Sequence, residues 1–565
     1  MSLFGSIQMA KNALRAQQIG LQVVGQNISN ANTPGYIREE VIVSPAPTQR
    51  IGGLLLGLGV QVDAVVQKID KFLEERLRNA KSDRVSNETK EQAYLELESI
   101  LGELGDTDLS TALNNFFGSI HDVLSQPEDI GVRNLAVLQG KTLTADIRNL
   151  SERVREVRSD LNDKVKDNVF TINNLIEEIR TLNIRITATE GGDTTASDAV
   201  GLRDQRNLAL GNLAGLIDIK SIEQPNGSIN VFAGGDYLVF ENSARFVEAK
   251  LDIDRGLAVA DIRIIETDSA LTANSGEIEG LVSSRDDVLG GFLDRLDDFS
   301  QAFIFEFNKL FSSGQGLKGH AELTSEFATS DSTVALDEAG LEFTPENGSF
   351  QVLVYNKQTK LTETTNIRID LNGLDDDTSL DDLASQLNSV SGLAASVDID
   401  GHLQISSDSV ELEFSFANDS SGTLAALGLN TFFTGSNALD IGVNAVVAAD
   451  AGKFNASKSG IGADTNTATL LAAFLDAPLD SKNGSSLKVL YSSLTAEVTQ
   501  GSSVARGIAD GSRIFEQTLV GQQLATSGVS LDEEAVKMIS YQRALQATSK
   551  YIKALDELLE ILVNL

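Results

Sequence analysis

Several residue types are absent or rare in this chain, and each absence excludes a kind of site. Among its 565 residues there is no cysteine and no tryptophan, and the only histidines are His121, His320 and His402, far apart in the sequence. Disulfides, thiolate metal sites and cysteine nucleophiles are therefore excluded, and a zinc site built from histidines is disfavoured. With 5% aromatic residues, we expect cores made mainly of Leu, Ile, Val and Ala. The seven prolines are few enough to favour long, uninterrupted helices.

Basic residues are scarce relative to acidic ones, and the formal net charge is -36. This balance argues against a general nucleic-acid surface, which needs an excess of Lys and Arg. Hydrophobic residues make up 41% of the chain, enough for sizeable cores in several domains. The most apolar window, 51–60, is half the roughly 20 residues that a membrane span needs, and the first residues lack a secretory signal pattern. We therefore expect neither membrane insertion nor a cleaved signal peptide.

The first 37 residues contain no acidic residue, and most of them follow a helical pattern. Apolar residues recur over 3–28 with heptad spacing, which predicts a helix with one narrow apolar stripe. This N-terminal seam comprises Leu3, Ile7, Leu14, Leu21, Val24 and Ile28. A turn-forming segment ends the helix, because Asn tolerates left-handed backbone and Pro-Gly fixes a turn. The predicted corner consists of Asn27, Asn30, Asn32, Pro34, Gly35 and Tyr36.

The C-terminal segment from Leu531 predicts a second helix with a matching apolar stripe. Ser530 and Glu533 form a capping-box pattern ahead of it. The C-terminal seam, in steps of three and four residues or their sums, comprises Met538, Tyr541, Leu545, Ile552, Leu555, Leu559 and Leu562. Because narrow seams suit helix pairs, we predict that the two terminal helices form a coiled coil. The alternative is that each helix packs separately on a globular core.

Between the termini, helical and strand-like patterns alternate. Helical periodicity covers 69–104, 109–126, 132–186, 276–313, 466–477 and 484–527. The predicted fold class is mixed and multidomain, with an α-helical coiled-coil or bundle core formed by both termini and inserted β-rich and α+β domains. The predicted domains are terminal core helices at 1–45 with 525–565, a helical bundle rod domain at 46–214 with 276–318 and 456–524, a β-rich insert at 215–275, and an α+β outer insert at 319–455.

Three short motifs resemble ligand-binding sequences without completing them. Gly140-Lys141-Thr142 matches the end of a P-loop, but Leu135 stands where the first glycine belongs. Residues 398–401 begin like a calcium loop, but Ser407 replaces the bidentate glutamate. The acidic run 375–377 could hold a cation, although such runs are more often solvated loops before a helix. The sequence therefore predicts no catalytic residue, no cofactor, no metal site and no enzymatic activity.

The two terminal segments resemble those of the axial proteins of the bacterial flagellum, which are the rod, hook and hook-associated proteins. NISNANTPGYIRE at 27–39 is similar to their N-terminal motif, and the segment from Leu531 to the end is similar to their C-terminal motif. Within this group, segments 132–186, 201–239 and 462–474 are most similar to the FlgK family of hook-associated proteins.

The resemblance implies a structural subunit of the flagellum at the hook–filament junction, outside the cell, assembled through its terminal helices after type III export. It also implies four kinds of partner: the hook protein, a second junction protein, an export chaperone that binds the C-terminal seam, and further copies of the chain in a ring. Two alternatives stay open. One is the hook protein itself, which shares both terminal motifs, and the other is a surface adhesin that uses 319–455.

Overall fold

The computed structural model describes residues 3–51, 54–102, 108–191, 199–374, 376–462 and 464–563. Long helices in these ranges alternate with short strands. The α-helices are α1 Leu3–Asn30, α2 Lys71–Gly102, α3 Leu109–Ser125, α4 Ile130–Glu190, α5 Val200–Leu216, α6 Glu277–Ser283, α7 Gly290–Ser312, α8 Leu380–Asn388, α9 Thr423–Ala426, α10 Ala445–Ala449, α11 Asn466–Ala473, α12 Leu487–Ser527 and α13 Leu531–Val563. A π-helical turn, Ser284–Leu289, joins α6 to α7 inside what the sequence predicts as one helical block.

The strands are short and mostly form hairpins. They are β1 Glu39–Pro45, β2 Thr48–Ile51, β3 Leu54–Gly57, β4 Val60–Gln67, β5 Lys220–Glu223, β6 Ile229–Ala233, β7 Asp236–Phe240, β8 Ser243–Ala244, β9 Val247–Asp254, β10 Leu257–Ile264, β11 Ser269–Ala270, β12 Glu322–Thr324, β13 Gly348–Asn356, β14 Thr362–Ile369, β15 Leu393–Val397, β16 Leu403–Ser407, β17 Leu412–Ala417, β18 Phe433–Thr434 and β19 Gly442–Val443. Their antiparallel sheets have the orders β1-β4, β2-β3, β5-β6-β7-β8, β11-β10-β9, β12-β16-β15, β14-β13-β17 and β18-β19.

Two of the hairpin connections contain glycines with positive φ. Gly234 and Gly235, between β6 and β7, have φ angles of 57° and 89°, as a tight two-residue turn requires. The connection between β15 and β16 is longer, because it comprises residues 398–402. Gly401 still has a positive φ of 86° in that connection.

The chain forms two compact units. The first unit consists of Met1–Ala93, Ser159–Asp286 and Ser503–Leu565, and the second of Tyr94–Arg158 and Asp287–Ser502. Helices α2, α4 and α12 contribute residues to both units. The prediction of a mixed, multidomain fold is confirmed, with helices predominating over several small sheets.

In the first unit, three asparagines of α4 fix the strands that lie along it. Asn162, Asn173 and Asn183 each donate a side-chain hydrogen bond to a strand carbonyl, those of Ala258, Val247 and Ile229, at 2.8–3.0 Å. Each also accepts one from a backbone N–H at 2.7–3.0 Å. Around them the apolar face of α4 is buried, including Ile172, Ile176 and Ile179 at 0% exposure. The paired amide bonds therefore satisfy strand ends that would otherwise be buried without partners.

The second unit contains two kinds of core. Residues 323–429 form a core mainly of Leu, Ile, Val and Ala, as expected, whereas the packing around α7 is built largely from phenylalanine, which the low aromatic content does not predict. Helix α7 places a phenylalanine at every fourth position, which aligns four rings on one helix face. These rings pack against others from α3, from the segment around β18 and from the end of α11, with centroid separations of 4.6–6.4 Å. The rings are Phe116, Phe117, Phe299, Phe303, Phe307, Phe311, Phe432, Phe433, Phe454 and Phe474.

Candidate functional site: the paired terminal helices and their corner

The two ends of the chain meet in the first unit, where α1 and α13 lie antiparallel. Asn27, near the end of α1, contacts Glu534 in the first turn of α13. Gly20, two turns earlier on α1, contacts Tyr541, two turns later on α13. Helix α1 also packs against the β1–β4 segment, where the Asn12 side chain donates to the carbonyl of Leu58 at 3.0 Å. The terminal helices thus pack together, and α1 has a further partner in the hairpin.

The C-terminal seam coincides with the least exposed face of α13. Leu555 is 6% exposed, whereas Ile539 on the opposite face is 51% exposed. The half-buried members are Met538, Tyr541, Leu545, Ile552 and Leu559. The side chain of Leu562 lies outside the described part of the chain.

The most buried face of α1 is displaced from the N-terminal seam. Of that seam only Val24 is buried, and the half-buried members are Leu3, Ile7, Leu14, Leu21 and Ile28. The residues in closest packing are instead small ones, which a heptad count of large apolar residues overlooks; they include Ser6, Ala10, Ala16 and Gly20. Small residues let a large side chain such as Tyr541 approach the helix backbone, and this determines which face of α1 is buried.

Asn27 is the centre of a buried hydrogen-bond network between the two ends of the chain. Its Nδ2 donates to the carbonyl of Glu39 at 3.0 Å and to Oε2 of Glu534 at 3.1 Å. Its Oδ1 accepts from the hydroxyl of Tyr36 at 2.7 Å and from the backbone N–H of Glu39 at 2.9 Å. All four hydrogen-bonding positions of this amide are used, so another side chain of similar size could not replace it without leaving a buried group unpaired.

A buried ion pair completes the network. Arg38 donates from Nε and Nη2 to Oε1 of Glu534 at 3.0 and 2.7 Å, and its Nη2 also lies 2.9 Å from Glu533. The Glu534 side chain is fully buried. Burial alone would raise the pKa of Glu534, but hydrogen bonds from Asn27 and Arg38 outweigh it, so the pKa is lowered and the group stays ionised. We call Asn27, Tyr36, Arg38, Glu39 and Glu534 the terminal polar cluster.

The corner turns the chain between α1 and β1. The Asn30 side chain donates to the carbonyl of Gln26 at 3.1 Å and accepts from Thr33 at 3.2 Å. Gly35 has a φ of 79°, and a methyl group there would meet Leu208 at 3.3 Å, so both the backbone and the space favour glycine. Asn32 and Pro34 are exposed.

A half-buried carboxyl group lies behind the corner. Asp204 of α5 accepts from Nε2 of Gln67 at 2.5 Å and from the N–H of Ile37 at 3.3 Å. Burial raises the pKa of Asp204 to about 7, and the nearby charge of Glu39 adds to the rise although the two hydrogen bonds oppose it. This carboxyl group therefore changes charge near neutral pH.

Sequence reasoning identifies Asn27 and Tyr36 but misses Arg38, Glu534 and Asp204. One signal was available, since Glu534 precedes Met538 by four residues and so occupies the next position of the C-terminal seam. An acidic residue on a buried helix face needs a cationic partner, and Arg38 is the first basic residue after the corner. The Ser530 hydroxyl accepts from the N–H of Glu533 at 3.4 Å, while the Glu533 carboxylate pairs with Arg38.

The ligand-like motifs have structural roles. Gly140 lies in α4, where a methyl group would sit 2.7 Å from the ring of Phe432, and the neighbouring Lys141 is exposed. The Asp398 carboxylate accepts hydrogen bonds from two backbone N–H groups of its own turn. The acidic run 376–377 is exposed or half-buried, and Asp375 lies outside the described residues. His320 is buried, with Nε2 3.0 Å from Asn430.

The described residues include neither a metal site nor a membrane span. No three His, Asp or Glu side chains in that part of the chain are grouped so that they could hold a metal ion. No helix in the described ranges is both long enough and apolar enough to cross a membrane.

Four family models match the chain. "Flagellar hook-associated protein FlgK helical domain" matches residues 94–325, and "Flagellin hook IN motif" matches 360–409. The ends match two rod-protein models: "Flagella basal body rod protein" over 7–36 and "Flagellar basal body rod FlgEFG protein C-terminal" over 521–565. The two terminal matches contain the corner residues up to Tyr36 and Glu534 of the terminal polar cluster.

Similarity to characterised proteins extends from end to end. The chain is 26% identical to flagellar hook-associated protein 1 of Bacillus subtilis, covering 100% of this chain and 98% of that protein. It is 24% identical to the proteins of the same name from Salmonella typhimurium and Escherichia coli, with 99% of each chain covered. The flagellar hook junction protein FlgK from Burkholderia pseudomallei has the same fold over 80% of this chain and 100% of its own, at a TM-score of 0.50 and 13% identity.

Proposed function

We propose that this chain is a member of the FlgK family of flagellar hook-associated proteins and a structural subunit of the hook–filament junction. Its relatives are structural components of the flagellum, and the proposal includes the absence of catalysis. The observation that carries it is the terminal polar cluster, in which Asn27 and Arg38 of the N-terminal motif both bind Glu534 of the C-terminal motif.

Assembly is proposed to use the terminal helices, residues 1–45 with 525–565, as a coiled-coil domain distinct from the rod domain and the two inserts. Within one chain, α1 covers only one face of α13. Outside that face α13 exposes apolar side chains, namely Val536 at 68%, Ile539 at 51%, Leu558 at 51% and Ile561 at 59%. Exposed apolar residues at both ends of one helix are typical of a surface that a partner covers. They support self-association of the chain in a ring.

The proposed partners are those of a subunit at the hook–filament junction. The hook protein and a second junction protein would contact the assembled subunit on its two sides. Before export, a chaperone would cover the C-terminal seam, since binding of an amphipathic helix in a groove is a common recognition mode. The polar cluster supports this order of events, because Glu534 gains its buried partners only when α1 and α13 come together.

The location is tested by immunogold electron microscopy of intact flagella with an antibody against residues 319–455. A single cluster of gold at the hook–filament boundary is expected. Gold along the whole hook would identify a hook protein and overturn the junction role. Binding of purified 319–455 to host surfaces, without flagellar labelling, would favour the adhesin.

The role of the corner is tested by replacing Pro34 and Gly35 together with alanine. Alanine at Gly35 costs about 1 kcal/mol for the positive φ. It also requires a small shift of the Leu208 side chain, so the monomer should still fold. The path of the chain between α1 and β1 would change, however, and we expect motility to be lost. Unchanged motility with normal flagellar length would contradict an assembly role for the corner.

A further inference from the structure

A cleft of about 290 Å³ in the first unit is lined by four cationic side chains. It lies between the start of α2, helix α5 and strand β5. Lys71 and Arg78 come from α2, and Arg203 and Arg206 come from α5. The same lining contains three carboxylates, Glu74, Glu75 and Glu223, so the cations exceed the acidic groups by one.

One carboxylate serves three of these cations. Glu223 Oε1 accepts from Nη1 of Arg203 at 2.5 Å and lies 3.9 Å from Nη2 of Arg206, while its Oε2 pairs with Lys71. Arg203 is also bound at 2.8 Å by both oxygens of Glu190. The positive charge of Arg203 is therefore well compensated. Arg206 is less well compensated, because Glu223 lies 3.9 Å from its Nη2 and is shared with two other cations.

Arg206 is almost completely buried and incompletely bonded. It is 1% exposed, and its Nη1 donates to Oδ1 of Asn183 at 3.0 Å and to the carbonyl of Gly227 at 2.7 Å. Its Nε has no hydrogen-bond partner among the described residues. Burial lowers the pKa of Arg206 to about 10, and the charge of Arg203 contributes. A buried guanidinium with so little compensation is unfavourable unless another negative charge lies nearby.

Arg78 forms the opposite wall of the cleft. Its Nη2 donates to the hydroxyl of Ser221 at 3.1 Å, and in the described ranges no carboxylate oxygen lies within 4.0 Å of its guanidinium. Burial lowers its pKa, although Glu74 and Glu75, one turn earlier on α2, oppose this. Glu74 also accepts from Nε2 of Gln523 at 2.5 Å. Arg78 is thus a second guanidinium on the cleft without a close carboxylate.

We propose that this cleft binds a small tetrahedral oxyanion, phosphate or sulfate, between Arg78, Arg206 and Lys71. Guanidinium groups bind such oxyanions through charge-assisted, often bidentate hydrogen bonds. Glu223 carries a single negative charge for three cations, and the bound anion supplies additional negative charge. It also joins α2, α5 and β5, which are separate in sequence, and so stabilises the first unit.

The test is a calorimetric titration of the full chain with sodium phosphate, accompanied by thermal unfolding. Sodium chloride at matched ionic strength controls for general screening. Phosphate is expected to bind with measurable heat and to raise the unfolding temperature above the chloride control. Sulfate is expected to compete with it. No phosphate-specific heat or stabilisation would overturn the proposal.

Two matched variants separate the cleft from the general charge of α2. Arg78→Gln removes one guanidinium from the cleft and is expected to weaken phosphate binding about tenfold, as loss of one charge-assisted contact should. Arg76→Gln makes the same charge change on the same helix, where Arg76 lies over the ring of Phe72 and does not line the cleft. Its affinity should stay within about twofold of the wild type. Equal weakening by both variants would contradict a site in the cleft.

Discussion

Gly20 of α1 and Tyr541 of α13 are in such close contact that a methyl group on Gly20 would lie 2.6 Å from the tyrosine ring. The distance is well below van der Waals contact, so any larger residue at Gly20 requires the ring to move. Since Tyr541 belongs to the C-terminal seam, this single contact sets how closely the two ends of the chain approach each other. It also explains why the closest contact on α1 involves a residue without a side chain.

Replacing Gly20 with alanine should therefore weaken the pairing of α1 with α13. The overpacked contact is expected to cost about 1–3 kcal/mol. The effect is measured as faster amide hydrogen exchange of residues 531–563 in the purified full chain. Gly25→Ala is the matched control, because Gly25 lies in the same helix and a methyl group there would meet no atom within 4 Å. That variant should exchange at the wild-type rate or more slowly, and equal rates in both variants would refute the steric argument.

The neighbouring glutamates at the start of α13 should differ strongly in importance. Glu534→Gln removes the buried partner of Arg38 and is expected to destabilise the terminal pair by about 3 kcal/mol, because a buried charge is left poorly compensated. Glu533→Gln removes the partner that is 63% exposed and should cost no more than about 1 kcal/mol. Amide hydrogen exchange of residues 3–30 distinguishes the two variants. Equal acceleration in both would mean that the buried ion pair stabilises the helix pair no more than the exposed one.

The sequence predicts the position of this site better than its chemistry. Both terminal helices begin and end within about two residues of their predicted limits, because their turn signals and caps are local. The C-terminal seam is the face of α13 that packs against α1, and it too follows from a local pattern, the spacing of apolar residues. The contacts of Arg38 with Glu534 and of Gly20 with Tyr541 join opposite ends of the chain, and no local pattern specifies which residues will meet.

The phenylalanine core shows how a bulk count can mislead. A low aromatic fraction predicts aliphatic cores, which is correct for residues 323–429, but many of the rings are concentrated around α7. Phe299, Phe303, Phe307 and Phe311 stand at every fourth position of α7, so this stripe is readable from the sequence. Their partners Phe432 and Phe433 lie more than a hundred residues away along the chain, and only the tertiary fold brings them into contact.

Asp204 should make the stability of the first unit depend on pH near neutrality. Its pKa is raised to about 7 in the folded chain, mainly by burial, against about 4 for an unfolded aspartate. The folded state therefore binds this proton more tightly, so the stabilisation is complete below about pH 4 and is lost as the pH rises through about 7. Asp204→Asn keeps an oxygen that can accept from Gln67 and Ile37 but cannot ionise. The variant should gain thermal stability relative to the wild type between pH 5 and pH 8, and a constant difference would argue against this titration.

Gly140 should be needed for close packing of the phenylalanine rings around α7, although it lies in a 61-residue helix. Alanine is normally about 1 kcal/mol better than glycine inside a helix. At Gly140, however, the added methyl group would lie 2.7 Å from the ring of Phe432 and 3.3 Å from that of Phe116. We expect Gly140→Ala to lose about 1–3 kcal/mol in urea unfolding, because packed aromatic rings have little room to move. Gly118→Ala in α3, where nothing lies within 4 Å, should instead be neutral or stabilising. If Gly140→Ala also proved stabilising, the glycine would not be required by the ring of Phe432, and the structural role of the P-loop-like motif would lose its basis.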